Sequence, residues 1–359
     1  MITFKNCLIG IMMCLFTLPS FSEKEYNKAN RYANAYQKYL NANCPLEKDE
    51  IKHFVYFSRN RDQLQNHSLI NTERIAGAQI MYSWRQLEPS EGEYDFSIIH
   101  EDYEYLLRHK KSLFIQLQDV SFQATYKAVP DYLLSEEYDG GCVASAEEEG
   151  WVAKRWNKNV QKRWALLLLE LGREFDGLIE GINLQETAAG SSDPHDTAFN
   201  YERYAECIKE NMLALKKAFP KSVTMQYANF MPGEWLPWDD KGYLRSIYEY
   251  GEKIGVGLGG PDLMVQRKGQ LNHLIALMHE GDFSVPLGIA IQDGNYIGKT
   301  GADKDYNEHA ENSSSAESPN VVPLLHAFAK DFLRVNYMFW VNQAPYFDMH
   351  VAPCLSDNQ

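Results

Sequence analysis

Apolar and polar positions along this chain change period many times. Short apolar runs of strand length fall near His53–Ser58, Ile75–Ser83, Ser112–Gln118, Gly177–Gln185, Ser222–Ala228, Gly255–Gly259, Pro286–Gln292 and Asn336–Val341. Between them lie stretches with apolar residues every three to four positions. The clearest are Val160–Phe175, Tyr201–Phe219, Gly242–Ile254 and Pro323–Leu333, with a further one from Ile98 to Leu107. Near-continuous apolar runs mark strands buried on both faces, and the helical period marks the layer that covers them. Eight such strands alternating with helices predict a (β/α)8 barrel, an α/β fold with a closed parallel sheet. Phe219-Pro220 and Gly251 stand where helices stop. Residues 23–43, rich in Tyr, Asn, Lys and Ala, predict an amphipathic helical extension before the first strand. Two stretches interrupt the alternation. The acidic residues 131–158, with Gly140-Gly141-Cys142, Trp151 and Trp156, predict a structured wall after strand three. The polar residues 298–320 predict a long loop after strand seven.

The first residues follow a different rule. Lys5 is the only charge before Glu23, Cys7 to Leu18 is almost wholly apolar, and Ser20-Phe21-Ser22 offers small residues for cleavage. This is the pattern of a secretory signal peptide at 1–22, too short for a spanning helix. The alternative is an N-terminal membrane anchor. Residues 23–359 are then one barrel domain, secreted or periplasmic, with no further membrane segment. The net charge is −14, one unit more negative once Lys5 leaves. Such a surface argues against nucleic acid and anionic membranes, and suits a neutral or cationic partner. The mature chain keeps Cys44, Cys142, Cys207 and Cys354, which permit two disulfides in three pairings. Barrel closure brings the chain ends together, so the expectation is Cys44–Cys354 with Cys142–Cys207; the alternative is free buried thiols. The spacing fits no zinc motif.

In a barrel of this kind, chemistry comes from the carboxyl ends of the strands. Strand two ends in Trp84 and Arg85, strand three in Gln116, Gln118 and Asp119, and strand four in Asn183, Gln185 and Glu186. Strand five offers Gln226, Tyr227 and Asn229, with Glu234 and Trp235 beyond, and strand six offers Asp262. Strand seven offers Gln292, Asp293, Asn295 and Tyr296, and strand eight offers Trp340, Asn342 and Gln343. Amides, carboxylates and aromatics are the mixture that hydrogen-bonds sugar hydroxyls and stacks on sugar faces. Histidine and cysteine are nearly absent from these ends, which argues against a metal or cofactor and against a cysteine nucleophile. No Gly-x-Ser-x-Gly elbow, phosphate loop or dinucleotide fingerprint is present.

The segment Trp84-Arg85-Gln86-Leu87-Glu88-Pro89, continuing through Gly92 to Tyr94-Asp95-Phe96, resembles one that follows the second barrel strand in many clan A glycoside hydrolases. Glu186 matches the general acid/base that ends strand four in that clan, and Trp340 matches the tryptophan that floors the cleavage subsite. Two positions depart from the pattern. Gln185 stands where the clan has an asparagine, and strand seven ends without a glutamate, leaving Asp293 as the nearest carboxylate. Glycoside hydrolysis uses two carboxyl groups, one protonated and one ionised. The resemblance therefore implies Glu186 as acid/base and Asp293 as nucleophile or base, with Asp119, Glu234 and Asp262 in reserve. Trp84, Arg85, Gln118, Asp119, Asn183, Gln185, Gln226, Asn229, Asp262, Gln292, Tyr296 and Trp340 form the expected substrate-binding set. Trp84, Trp235 and Trp340 are candidate stacking platforms, each with core packing as its alternative. Arg85 is expected to orient a carboxylate, or else to pair with Glu88 or Glu91. Glu186 has a structural alternative as a helix cap or ion-pair partner, and Gln292-Asp293-Gly294 as a sugar-binding turn.

The leading expectation is an exported glycosidase acting on an oligo- or polysaccharide. The runner-up is a non-catalytic glycan-binding barrel that lost its strand-seven glutamate. A polysaccharide lyase or other carbohydrate-modifying enzyme is the third reading. Asn66-His67-Ser68 and Asn312-Ser313-Ser314 are glycosylation sequons.

Overall fold

The structure is a computed structural model that describes residues 28–145, 150–188, 196, 198–300, 303 and 319–356. The proposed signal peptide, most of the loop 298–320 and the sequon at Asn312 lie outside the described residues.

Eight parallel strands close into a barrel: β1 (Lys52–Tyr56), β2 (Ile75–Ser83), β3 (Ser112–Gln118), β4 (Gly181–Leu184), β5 (Val223–Tyr227), β6 (Gly257–Gly260), β7 (Leu287–Ile291) and β8 (Tyr337–Val341). Each pairs with its sequence neighbour, and β1 closes on β8 with Val55 opposite Trp340. Closure satisfies every strand edge. Helices α1 (Ser97–Arg108), α2 (Lys158–Phe175), α3 (Tyr201–Ala218) and α4 (Tyr243–Ile254) each present an apolar face to the sheet. After β7, an α-helix at Val322–Ala327 continues as a π-helix at Phe328–Leu333. Among the described residues, no helix is long and apolar enough to cross a membrane.

The barrel interior is filled unevenly. The rings of Phe54, Phe114 and Phe339 meet at 4.9–5.9 Å, and Tyr227 packs against Phe339. Other strands make room with glycine. A Cβ at Gly181 would lie 2.7 Å from the Phe114 ring, and one at Gly288 would lie 2.7 Å from Met225. Above the aromatic layer the interior turns polar: Gln79 donates to Asn183 Oδ1 (2.9 Å) and to the Tyr227 hydroxyl (3.0 Å).

The N-terminal extension is helical but tighter than expected, a 3-10 helix at Ala35–Tyr39 flanked by turns. Asn30, Asn34, Asn41 and Asn43 favour local side-chain bonding over a continuous α-helix. The wall after strand three is a small antiparallel sheet of Val120–Ser121, Trp151–Ala153 and Cys142–Ala144. Cys44 and Cys354 are disulfide-bonded across 310 residues, joining the chain ends. The expected Cys142–Cys207 bond is not formed, and both thiols are free and buried. Cys207 faces inward from α3, whereas Cys142 belongs to the antiparallel sheet, so the two sit in different layers.

Candidate active site

The carboxyl end of β4 is held by side-chain hydrogen bonds to its backbone. Three successive backbone carbonyls there are each taken by a buried side chain. Gln226 Nε2 donates to the carbonyl of Gln185 (2.7 Å), and Arg155 Nη1 to that of Glu186 (2.8 Å). The Tyr204 hydroxyl donates to that of Thr187 (3.3 Å). The Glu186 carboxylate is half-buried, and its Oε2 accepts from Asn229 Nδ2 at 2.6 Å. Asn229 is fixed in turn, because its Oδ1 accepts the Phe230 backbone N–H (3.0 Å). The β4 and β5 ends thus mount one carboxylate rigidly, as a group held for chemistry requires.

Arg155 makes this mount possible. Its guanidinium bonds both oxygens of Asp119 (2.6 and 2.7 Å) and reaches the Tyr204 hydroxyl (3.0 Å) as well as the Glu186 carbonyl. Arg155 and Asp119 are both buried. A buried bidentate pair of this kind saturates both partners, so Asp119 is an anchor and not a reserve catalyst. Gln185 is likewise structural, its Oε1 accepting the backbone N–H groups of Asp119 (3.1 Å) and Val120 (2.8 Å). Arg155 lies in the inserted wall, and sequence reading missed it because its partners are 36 and 31 residues away.

Across the mouth stand two aspartates. Asp293, in the turn after β7, is exposed as a residue, yet the protein around its carboxyl removes enough water to raise it above the usual aspartate range. Asp262 follows β6 with a left-handed backbone (φ 63°). Burial pushes its carboxyl up to about 6, with repulsion from Asp303 and Asp293 adding to it, while Asn295 and Arg267 oppose the shift. Asn295 links the two aspartate turns: its Nδ2 donates to Asp262 Oδ1 (2.8 Å), and its Oδ1 accepts the Gln292 N–H (2.9 Å). Tyr56, ending β1, is buried and feels all three carboxylates. Burial is the main cause of its raised pKa, and the charges of Asp293, Glu186 and Asp262 add to it. The ends of strands four, six and seven therefore converge on one centre.

The remaining expected residues fall in several places. Gln118 is buried at the end of β3, and its Oε1 has no protein donor among the described residues. Gln292 is half-buried in the Asp293 turn. Asn183 lies deeper, held by Gln79. Tyr296 is buried, its hydroxyl donating to the Val341 carbonyl (3.1 Å). Trp84 is 1% exposed, packs on Trp164 and donates to the buried Glu88, which Arg163 pairs. Arg85 ties down the loop after β3 through the Lys127 carbonyl and Asp131, so it orients neither Glu186 nor pairs with Glu88 or Glu91. Glu234 accepts the N–H groups of Lys241, Tyr243 and Leu244, capping α4. Trp340 is fully buried and leaves no ring face for a sugar. Alternation explains its placement: Tyr337 and Phe339 face the barrel interior, so Trp340 points outward to the helix layer.

There Trp340 meets a second polar cluster, at the amino end of the barrel. Asp49, His53 and His326 hold ligand-type atoms within 4.8 Å of one another. Trp340 Nε1 donates to His53 Nδ1 (3.1 Å), so the neutral ring carries its proton on Nε2, the atom a metal would need. His326 instead pairs with Asp49 (2.7 Å). This donor set does not fit a metal.

Compared by sequence, the chain matches no family model and no curated protein. Compared by structure, it is similar to GH5_18 from Bifidobacterium longum subsp. longum, solved with Manb1-4GlcNAc. That likeness has 10% identity, a TM-score of 0.50, and covers 85% of this chain and 73% of that one. It is also similar to xylanase 10B from Thermotoga petrophila, with 14% identity, a TM-score of 0.45, and coverage of 81% and 82%. The beta-galactosidase of Rahnella sp. R3 shows 11% identity and a TM-score of 0.40 over 63% of this chain, which spans only 41% of that enzyme. At such identities the likeness is one of fold alone, a closed (β/α)8 barrel.

Proposed function

We propose that this protein hydrolyses glycosidic bonds in an oligo- or polysaccharide, with Glu186 as general acid/base and Asp293 as the second carboxylate. What supports the reading is the hydrogen-bonded mount of Glu186 together with two aspartates whose pKa values are raised by burial, all three charges acting on Tyr56. In the first step the Glu186 carboxyl gives its proton to the glycosidic oxygen. The C–O bond breaks, and its electron pair stays on that oxygen. Asp293, on the opposite side, bonds the anomeric carbon or deprotonates an attacking water. In the bonded case, water then displaces Asp293 and returns a proton to Glu186. Asn229 and Gln118 offer hydrogen bonds to sugar hydroxyls at the floor. The leader pattern at 1–22 and the Cys44–Cys354 bond support export, where disulfides persist.

The test is turnover on neutral polysaccharides and aryl glycosides, with wild type beside Glu186→Gln and Asp293→Asn. The expected result is reducing-end release by wild type and its loss in both variants. Loss in Glu186→Gln alone transfers the second role to Asp262, since Asp119 and Glu234 are committed elsewhere. Absence of release by wild type on every substrate, with glycan binding retained, leaves a non-catalytic binding barrel. The anomer released also reads the carboxylate spacing, roughly 5–5.5 Å for retention against 6.5–9.5 Å for inversion.

A further inference from the structure

Most large aromatic side chains here are buried, but the loop after β5 does the opposite. Trp235 is 51% exposed and Trp238 is 44% exposed, three positions apart on the mouth face of the barrel. Leaving two indoles in water is unfavourable by about 25 cal/mol per Å² of apolar surface, so a loop free to move would fold them inward. This loop is not free to move. Trp235 and Asp239 exchange backbone hydrogen bonds (3.0 and 2.9 Å), and Trp238 N–H bonds the Trp235 carbonyl (3.0 Å). Glu234 is locked onto the start of α4, and the Leu236 N–H donates to His273 Nε2 (3.0 Å). The Trp235 ring is also set from beneath. Phe230 lies parallel to it, 5.6 Å away at 11°, and His273 packs against it at 4.7 Å. Held by Phe230 and His273, the Trp235 indole still leaves half of its surface to solvent. The Lys268 ammonium sits 5.1 Å over the Trp238 ring, so one face of that indole carries a cation.

The platform is continuous with the candidate active site. Phe230 follows Asn229, the partner of Glu186, and its carbonyl accepts from Thr187 Oγ1 (2.6 Å) on the same β4 end. A flat indole offered to solvent suits the apolar face of a pyranose ring. In the same loop Asp239 pairs with Lys241 and Asp240 with Arg245, and these carboxylates keep lone pairs that can accept from hydroxyls. The net charge of −14 disfavours a polyanionic chain.

We infer that Trp235 and Trp238 form a carbohydrate platform that grips a neutral polysaccharide beyond the cleavage point, so that the protein acts on long chains. This deepens the proposed function and rests on its reading of the mouth as a carbohydrate site, but binding is measured apart from turnover. The experiment is native affinity electrophoresis through gels containing hydroxyethylcellulose, xylan, galactomannan, laminarin or pullulan. Wild type is run beside Trp235→Ala, Trp238→Ala, Glu186→Gln and Leu178→Ser, the last a control for an exposed apolar residue (53%) before β4. Thermal unfolding of each variant verifies folding. Wild type and Glu186→Gln are expected to be retarded alike in at least one gel, and Leu178→Ser with them. Trp235→Ala is expected to weaken the apparent affinity about tenfold or more, the scale of a central aromatic contact. Trp238→Ala weakens it in the same direction. Failure of wild type to be retarded in any gel overturns the platform, and so does equal retardation of Trp235→Ala. Retardation that depends on Trp235 in a protein that releases no sugar keeps the platform and removes the hydrolase.

Discussion

His53 makes the protein sensitive to acid through a group far from the candidate active site. It is 1% exposed, and its pKa is lowered from 6.5 to about 3. Burial is the first cause, and the His326 charge and Arg74 add to it, while Asp49 opposes. For a base depressed by folding, the unfolded chain binds the proton more readily. Stability is therefore complete above the unfolded pKa and is lost as pH falls from 6.5 towards 3. Each pH unit inside that window costs about 1.4 kcal/mol. Between pH 7 and pH 4 the loss attributable to His53 is about 3 kcal/mol, a large share of a typical 5–15 kcal/mol. The matching perturbation is His53→Asn, whose Oδ1 takes the place of Nδ1 as acceptor for the Trp340 indole but does not titrate. Urea unfolding of both proteins at pH 7, 6, 5 and 4 provides the comparison. Carboxylates elsewhere titrate in both and cancel in the difference. The stability gap between wild type and variant should shift by about 3 kcal/mol in favour of the variant on going to pH 4. Parallel curves across the four pH values would refute the reasoning, whatever the variant costs at pH 7.

Asp119→Asn strands the buried Arg155 charge and should destabilise by about 3–5 kcal/mol in urea unfolding. Loss of the mount is expected to lower turnover as well, while Asp131→Asn, on an exposed carboxylate, should change stability by under about 1 kcal/mol. Because Asp293 must be ionised to act, its raised pKa places the acid limb of kcat/KM above the usual aspartate range; a limb at or below pH 4 argues for another group. Cys44→Ser, which opens a loop spanning 310 residues, should cost about 6 kcal/mol on the chain-entropy reckoning, read from the urea midpoint without reductant. Gly288→Val should destabilise by a few kcal/mol, since the new Cβ meets Met225.

The barrel was legible in the sequence because buried parallel strands and their covering helices write different periods. All eight strands fall where the apolar runs predicted them. The orientation of side chains within a strand was less legible. Tyr337-Met338-Phe339-Trp340-Val341 is apolar throughout, so nothing in it shows which parity faces the interior. Trp340 was assigned to the mouth by resemblance, and the contacts of Phe339 with Phe54 and Phe114 place it on the other side. Glu186 and Asn229 could be found because each ends a strand. Arg155 could not, since its role exists only once the inserted wall folds back onto β3 and β4.

The uneven filling of the barrel has an evolutionary corollary. Phe114 occupies the space beside Gly181, and Met225 with Phe339 occupies the space beside Gly288. Volume inside a closed sheet is thus held jointly by strands that are distant in sequence. At Gly288 the neighbours are side chains, so a larger residue is accommodated once a smaller one stands at position 225, whereas at Gly181 the Val223 carbonyl, 2.7 Å from a new Cβ, holds the glycine whatever stands at position 114. The order of substitutions then matters at the second site, where neutral drift runs in paired steps with sign epistasis between Gly288 and Met225, while Gly181 stays fixed by the backbone beside it.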